Sequence, residues 1–328
     1  MKILFYVLLL SICTLPEILY SQFSQIENYQ KYIAVGQYHG KDVAVIRKYT
    51  SQNNPFFIAI GFDDIKSYII PASEISIQVK NWNEMLSLYK TTPYIRAIQA
   101  AGSQSMPLHD AGIQHVNTKG AGILLTVDLC PSLKSMDRII FTSIIEEFRK
   151  FQEPQPIGLA ITGKFLKYHS QDIDWIKELI KSGAVDIVWI NHTFNHNYHP
   201  NLPLINNFLL EPSTHLDSEI LLLEKSLLEK ELMISAFFRF PGLVSDRKLV
   251  EQVSNYGLIT LGSDAWLAKG QTVKNGDIVL IHGNGNEPVG VKNFLALLKK
   301  EKINIDKKQW LLYDLREDIG QEFKTENK

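Results

Sequence analysis

The sequence predicts an α/β fold in which parallel strands alternate with helices, preceded by a small β-rich region. From about residue 120, short apolar runs alternate with longer segments whose apolar residues recur at helical spacing. An ionisable residue follows each of several apolar runs, as expected where functional groups collect at the carboxyl ends of parallel strands. Strands that alternate with helices form right-handed βαβ units around a parallel sheet or barrel.

The composition sets limits on the class of protein. The chain has 328 residues, of which 45% are apolar and 21% charged, so it can build a sizeable core. Its 34 basic and 35 acidic residues give a net charge of -1, which argues against a general nucleic-acid binder. No run of eighteen apolar residues follows the N-terminal segment, so no integral membrane domain is expected after it.

Residues 1–21 are predicted to be a signal peptide. Lys2 supplies the positive charge, residues 3–10 are apolar, and Ser21 is a small residue at the expected cleavage site. An N-terminal membrane anchor is the alternative, which Pro16 disfavours because it interrupts the apolar run early. The chain is therefore expected to be exported, to a periplasm, to the cell surface or to the medium.

Residues 22–118 are expected to form the small β-rich region and its connector. Alternation around a turn at residues 39–42 predicts a hairpin, and glycine-rich residues 101–121 are interpreted as the connection to the main domain. The predicted elements of this region are the hairpin Tyr32–Tyr49, strands Phe56–Ile60 and Ser67–Ile70, and helix Trp82–Tyr89.

Residues 119–328 are expected to form the main domain. Its predicted strands are Gly122–Val127, Ile157–Ile161, Val185–Ile190, Phe237–Phe238, Leu258–Leu261 and Ile278–Ile281. Its predicted helices are Met136–Phe151, Asp172–Lys181 with Ser170 as the N-cap, and Asp217–Met233.

The run "HTFNH" after the third of these strands predicts a metal site. His192 and His196 are spaced i and i+4, so in a helix they would share one face and one ion could bind both. The alternative is that His and Asn are simply common loop residues. The ionisable residues that follow the neighbouring strands favour the metal site.

The order and type of these clusters resemble the polysaccharide deacetylase family, which shares the NodB homology domain and includes carbohydrate esterases of family 4. The resemblance covers about residues 120–300, and its second and fifth motifs are specific. The matching segments are "TVDLCPS" from Thr126, "HTFNH" from His192, "RFPG" from Arg239, "SDAW" with Asp264 and Trp266, and "LIH" from Leu280.

This resemblance implies an irregular (β/α) barrel and a metal-dependent hydrolase that removes N-acetyl or O-acetyl groups from a carbohydrate polymer. His192 and His196 would hold a divalent metal ion, with zinc as the first expectation and cobalt or nickel as alternatives. The other implied roles are Asp128 as general base, Arg239 orienting it, His282 as general acid, Asp264 and Trp266 supporting the His282 ring, and the Gly242 N–H facing the oxyanion.

Leu129 is the departure from the family pattern, because it occupies the position of the third metal ligand. Three residues are candidate replacements, and spacing favours none of them: Asp128, Asn191 and His199. Cys130, the only cysteine left after signal removal, is either a small apolar residue of a tight turn or a thiolate close to the metal.

Two other functions stay open at this point. One is a carbohydrate-binding pseudoenzyme whose metal site is degraded at Leu129. The other is a surface interaction protein that binds through residues 23–115. If Leu129 only vacates a ligand position, Leu129→Asp is expected to tighten metal binding.

Overall fold

The computed structural model describes residues 25–103 and 108–324. The predicted signal peptide lies outside these residues. Within the described ranges, no helix combines the length and apolar character needed to cross a membrane.

The N-terminal part is a five-stranded antiparallel sheet with the order β4-β3-β2-β1-β5. The predicted hairpin is confirmed, because Tyr38 pairs with Lys41 and Gly40 adopts a φ of 76° in the turn. The strands are β1 (Ile26–Tyr38), β2 (Lys41–Ser51), β3 (Asn54–Gly61), β4 (Ser67–Pro71) and β5 (Ser76–Val79), followed by helices α1 (Trp82–Leu88) and α2 (Pro93–Ser103).

The second sheet is parallel and curled, which confirms the predicted α/β fold. Its strand order is β10-β9-β8-β7-β6-β12-β11, with β13 paired to the start of β6. Among the described residues β10 and β11 do not pair with each other, so the barrel is open. The strands are β6 (Gly122–Leu129), β7 (Gln155–Ile161), β8 (Val185–Asn191), β9 (Ile234–Phe238), β10 (Ile259–Thr260), β11 (Ala265–Trp266), β12 (Ile278–His282) and β13 (Leu311–Leu312).

Helices cover the outside of the parallel sheet. One expectation is corrected: Ser170 is the first residue of its helix rather than the N-cap, which is His169 without a capping side-chain hydrogen bond. The helices are α3 (Ile139–Phe148), α4 (Gly163–Tyr168), α5 (Ser170–Lys181), α6 (Leu216–Glu229), α7 (Arg247–Ser254), α8 (Pro288–Asp306) and α9 (Leu315–Glu322).

The two sheets share apolar clusters. Ile46 and Ile60 of the N-terminal sheet belong to one fully buried cluster with Leu124 and Ile190 of the parallel sheet. A buried ion pair reinforces this packing, because the Arg47 guanidinium binds both carboxylate oxygens of Glu224 on α6, at 2.6 and 2.8 Å. The N-terminal sheet is therefore docked firmly on the parallel sheet and its helices.

The parallel topology decides where polar side chains can meet. β9, β8, β7, β6 and β12 are consecutive neighbours and run in the same direction, so their carboxyl ends lie at one edge. Four of the predicted site residues lie at or directly after these ends: Asp128, His192, Arg239 and His282.

Candidate functional site

Asp128 is the buried carboxylate near the end of β6, with only 2% of its surface exposed. The buried Arg239 donates from Nη1 to Asp128 Oδ1 at 2.8 Å and to Thr126 Oγ1 at 2.7 Å. Burial alone would raise the pKa of Asp128, but the charges of Arg239 and of the nearby His192 and His282 outweigh it and lower the pKa. The carboxylate is therefore ionised although it is almost completely buried.

His192 follows β8 and is oriented by the backbone. Its Nδ1 lies 2.9 Å from the carbonyl oxygen of Arg239. Because a carbonyl can only accept, Nδ1 carries the hydrogen and Nε2 is the atom left for a ligand. Nε2 lies 3.7 Å from Asp128 Oδ2 and 3.6 Å from Cys130 Sγ. Burial opposes a charge on this ring, but Asp128 and Cys130 outweigh it and raise the pKa of His192, so a metal ion at Nε2 would displace a proton.

His196 reaches the same place through a loop rather than a helix, which corrects the expected helical i, i+4 geometry. Residues 192–196 are irregular, and Thr193 and His196 have φ values of 70° and 50°. Asn191 Oδ1 accepts the Thr193 N–H at 3.0 Å, which holds this turn. The two imidazole rings lie 4.8 Å apart, so the pair that the sequence singles out does converge.

The donor set fits a divalent metal ion. Ligand atoms of Cys130, His192 and His196 all lie within 4.8 Å of one another. The Nε2 atom of His196 is buried and lacks a hydrogen-bond partner among the described residues. A buried nitrogen without a partner is costly unless it binds something, and imidazole with thiolate is a donor set that suits zinc.

The three candidate replacements for Leu129 either bind other residues or lie outside the group of Cys130, His192 and His196. Asn191 donates from Nδ2 to the Ile220 carbonyl at 3.2 Å, and its Oδ1 holds the loop described above. His199 is half exposed and pairs with Glu211 at 3.3 Å. Asp128 is bound by Arg239 and is not a member of the three-residue group.

His282, the last residue of β12, is held by Glu287, which the sequence reasoning missed. His282 Nδ1 lies 2.7 Å from Glu287 Oε2, and Trp266 Nε1 donates to the same oxygen at 2.8 Å. Burial would lower the pKa of His282, but Cys130, Glu287 and Asp128 outweigh it and hold the pKa well above its usual range. Glu287 follows its histidine by five residues, a short-range acidic signal that the motif resemblance did not include.

Asp264 is not part of this arrangement, which corrects its expected role as a support for His282. Its carboxylate is exposed and lies 3.5 Å from His115. Its N–H donates to the carbonyl of Ile278, the first residue of β12, whereas His282 is the last. At about 3.3 Å per residue the two ends of that strand are about 13 Å apart. Trp266, in contrast, lies beside His282 as expected, with ring centroids 5.5 Å apart.

His196, His282 and Glu287 line a cleft of about 720 Å³. Gly242 lies on its wall with a φ of 62°, in the loop that follows Arg239. Gly242, whose N–H is implied for the oxyanion, therefore lies on the same cleft as His196 and His282. Other residues along the cleft include Cys130, Tyr198 and Trp266.

No family model matches the chain. Among solved structures it is similar to a family 4 carbohydrate esterase from Bacillus anthracis, with 17% identity, 69% of this chain and 91% of that chain covered, and a TM-score of 0.46. It is also similar to PdaA, a family 4 carbohydrate esterase from Bacillus subtilis, with 14% identity and a TM-score of 0.44; the match covers 75% of this chain and 92% of that chain. A CE4 family pseudoenzyme from Bacillus anthracis shows 14% identity and a TM-score of 0.41, and the match covers 64% of this chain and 69% of that chain. At these identities, the chemistry of the site rests on its own side chains.

Proposed function

We propose that this chain is an exported, metal-dependent hydrolase that removes acetyl groups from the N-acetyl or O-acetyl positions of a carbohydrate polymer. The observation that carries the proposal is the position of the ionised Asp128 carboxylate. It lies beside the His192–His196 pair and at the same sheet edge as His282. A base, two metal-binding imidazoles and an acid are the groups that metal-assisted amide or ester hydrolysis needs.

In this proposal Asp128 and His282 move the protons. Asp128 accepts a proton from the attacking water at Oδ2, because Oδ1 is bound to Arg239. Arg239 keeps the carboxylate charged and fixed. His282 donates a proton from Nε2 to the departing nitrogen or oxygen, since its Nδ1 is bound to Glu287. The Gly242 N–H faces the oxygen on which negative charge develops.

His192 and His196 would hold the metal ion, which when bound lowers the pKa of water and polarises the acetyl carbonyl. The hydrogen bond from His192 Nδ1 to the Arg239 carbonyl fixes the ring that binds it. The same Arg239 therefore holds both the base, through its guanidinium, and a metal-binding ring, through its carbonyl.

The cleft supports a polymeric carbohydrate as the substrate. It is open to solvent, and the half-exposed Tyr198 ring on its wall is stacked on Phe208, with centroids 5.2 Å apart. An exposed aromatic face beside polar groups can stack on the apolar face of a sugar ring. Asn197 and Asn286 supply side-chain amides along the same cleft, whereas the Asn195 amide donates to Glu219.

The test is acetate release from a panel of N-acetylglucosamine polymers and O-acetylated glycans by the Zn²⁺-loaded chain. Asp128→Asn and His282→Asn should each lower kcat by about 10²- to 10⁴-fold, the usual contribution of a general base or acid. Glycan binding without acetate release from any substrate would instead favour the carbohydrate-binding pseudoenzyme. That reading is motivated by Leu129 at the position of the family's third ligand.

Export is part of the proposal and has its own test. Residues 1–21 should be absent from the mature protein, which N-terminal sequencing of the chain recovered outside the cytoplasm would detect. Recovery of an intact N-terminus in the cytoplasm would contradict export without affecting the proposed chemistry.

A further inference from the structure

We infer that the Cys130 thiolate is the third protein ligand of the metal site, completing a Cys–His–His set with His192 and His196. This inference rests on the metal site of the proposed function and specifies how that site is built. It departs from the family pattern, in which an aspartate at the position of Leu129 would be the third ligand.

The distances carry the inference. Bond lengths of about 2.3 Å for Zn–S and about 2.05 Å for Zn–N, with a tetrahedral angle, put sulfur and nitrogen about 3.6 Å apart. Cys130 Sγ and His192 Nε2 are separated by 3.6 Å. A ring nitrogen of His196 lies within 4.8 Å of both, and Nε2 of this ring lacks a protein partner among the described residues. An ion bound by these three side chains through His196 Nε2 would satisfy that nitrogen.

The alternation of side chains between the two faces of β6 explains why Cys130, and not Leu129, can be a metal ligand. Successive side chains of a strand point to opposite faces. Ile123, Leu125, Val127 and Leu129 all belong to one apolar cluster, which also contains residues of α3. Asp128 points to the other face, where it meets Arg239. Leu129 is therefore directed away from the histidines, and Cys130 is the next residue on their side.

The backbone on either side of the thiol is fixed by side chains from two neighbouring loops. Asn284 is fully buried and donates from Nδ2 to the Cys130 carbonyl at 2.7 Å. Thr162 donates from Oγ1 to the Leu129 carbonyl at 3.0 Å. A ligand must be held in place before the metal arrives if the site is to bind tightly, and these bonds hold Cys130.

The ligand set determines which metal the site prefers. A thiolate with two imidazoles is soft, so the site should take Zn²⁺ or Co²⁺ and reject Mg²⁺ and Mn²⁺, which prefer oxygen ligands. Three protein ligands leave a fourth tetrahedral position for water or substrate. Cys130 and His196 both line the cleft, so this position is reached from it.

The experiment uses the full chain with Cys13→Ser, so that Cys130 is the only thiol. The reduced protein is loaded with Co²⁺, and sulfur-to-cobalt charge-transfer absorption is recorded in the near ultraviolet. Zn²⁺ affinity is measured by competition with a chromophoric chelator for Cys130→Ala, Cys130→Ser, Cys130→Asp and His199→Ala. Circular dichroism confirms that each variant is folded.

The inference requires the charge-transfer band in the parent protein and its loss in Cys130→Ser. Since removal of an outer hydrogen-bond partner alone costs about 10- to 100-fold in metal affinity, loss of this ligand should weaken Zn²⁺ binding by about 100-fold or more. Cys130→Asp should retain tight binding without the band, and His199→Ala should bind as the parent does. Zn²⁺ should also protect Cys130 from alkylation by iodoacetamide.

Two results would overturn it in distinguishable ways. If Zn²⁺ binds and acetate is released while the band is absent and Cys130→Ala keeps full affinity, Cys130 is not a ligand and the proposed function stands. If neither the parent nor Cys130→Asp binds Zn²⁺ although circular dichroism shows both to be folded, both the inference and the metal-dependent function fail.

Discussion

At the scale of the single residue, Glu287 orients His282, the proposed general acid, and favours its protonated form. Its Oε2 accepts from both His282 Nδ1 and Trp266 Nε1, which fixes the ring and favours its protonated form. Glu287→Gln keeps the size but removes the charge. We expect kcat for acetate release to fall by about 10- to 100-fold with little change in KM, because the acid loses its orientation and charge partner.

The matched control for Glu287→Gln is Asp264→Asn, since the sequence motif gives this role to Asp264 while the structure gives it to Glu287. Asp264 is exposed and pairs with His115, so its variant should keep parental kcat. A large loss in Asp264→Asn together with parental activity in Glu287→Gln would contradict the arrangement described here.

Leu129 and Cys130 are neighbours with opposite surroundings, and an aspartate should behave differently at each. The sequence suggests that Leu129→Asp restores a ligand, but Leu129 is fully buried in the apolar cluster of β6 and α3. Losing its packing alone should cost about 2–5 kcal/mol of the free energy of unfolding, before the cost of burying a charge. Urea denaturation with excess chelator should therefore show Leu129→Asp to be much less stable than Cys130→Asp, and equal stability would contradict the packing of Leu129 in this cluster.

The loop from His192 to His196 shows, at the scale of the element, what could be predicted from sequence and what could not. The residue spacing identified both imidazoles, and the strand before them was predicted within one residue. The conformation was not predictable from spacing, because it depends on positive φ values at Thr193 and His196. Non-glycine residues adopt these values only when surrounding contacts impose them, here partly through the Asn191 side chain.

The strands of the parallel sheet were easier to predict than the helices that cover them. Buried parallel strands read as short continuous apolar runs, which is why β7 and β12 were located closely. Helix α8 was not predicted, although Val291, Phe294 and Leu298 follow helical spacing after a proline, which is tolerated at a helix start. The two-residue strands β11 and β13 are too short for any periodicity, and their pairing depends on tertiary contacts.

The turn after β9 depends on glycine at position 242. A Cβ there would lie 2.7 Å from ring atoms of Phe208, and the φ of 62° is strained for other residues. Gly242→Ala should lower the free energy of unfolding by about 1–3 kcal/mol and reduce kcat, because moving the turn displaces the N–H that we propose faces the oxyanion.

Gly270→Ala is the control for Gly242→Ala. Gly270 has nearly the same backbone conformation, with a φ of 71°, but no atom lies within 4 Å of its added Cβ. Gly270→Ala should therefore lose only the stability that backbone strain costs, and it should keep the parental kcat. Thermal denaturation and acetate release are measured on both variants. Equal losses of activity would show that the contact with Phe208 does not cause the loss in Gly242→Ala.

The N-terminal sheet and the parallel sheet share a buried cluster at the scale of the whole molecule. The sequence predicts a small region over residues 22–118, because a hairpin pattern there gives way to strands that alternate with helices. Composition cannot reveal that Ile46 and Ile60 share a buried cluster with Leu124. Nor can it pair Arg47 with Glu224, since 177 residues separate the partners. We therefore expect the two parts to unfold together.

The Arg47–Glu224 pair tests this coupling. Both side chains are almost completely buried, and Arg47 also donates to the carbonyl of Tyr256 at 2.6 Å. Arg47→Met leaves the Glu224 charge buried without its cation, which should lower the free energy of unfolding by about 3–5 kcal/mol. Lys225→Met, which breaks an exposed pair with Glu229 on the same helix, should change it by about 0.5 kcal/mol or less.

The double variant Arg47→Met/Glu224→Leu should recover much of that loss, because removing both charges leaves no unpaired ion in the core. Tryptophan fluorescence reports on the N-terminal region through Trp82 and on the parallel-sheet region through the four other tryptophans. Urea unfolding of the parent and of Trp82→Phe separates the Trp82 signal from that of the other four tryptophans. We expect both signals to have the same urea midpoint, and Arg47→Met should lower this midpoint for both. An earlier, separate transition of Trp82 that alone responds to Arg47→Met would show that the N-terminal sheet folds independently of the parallel-sheet region.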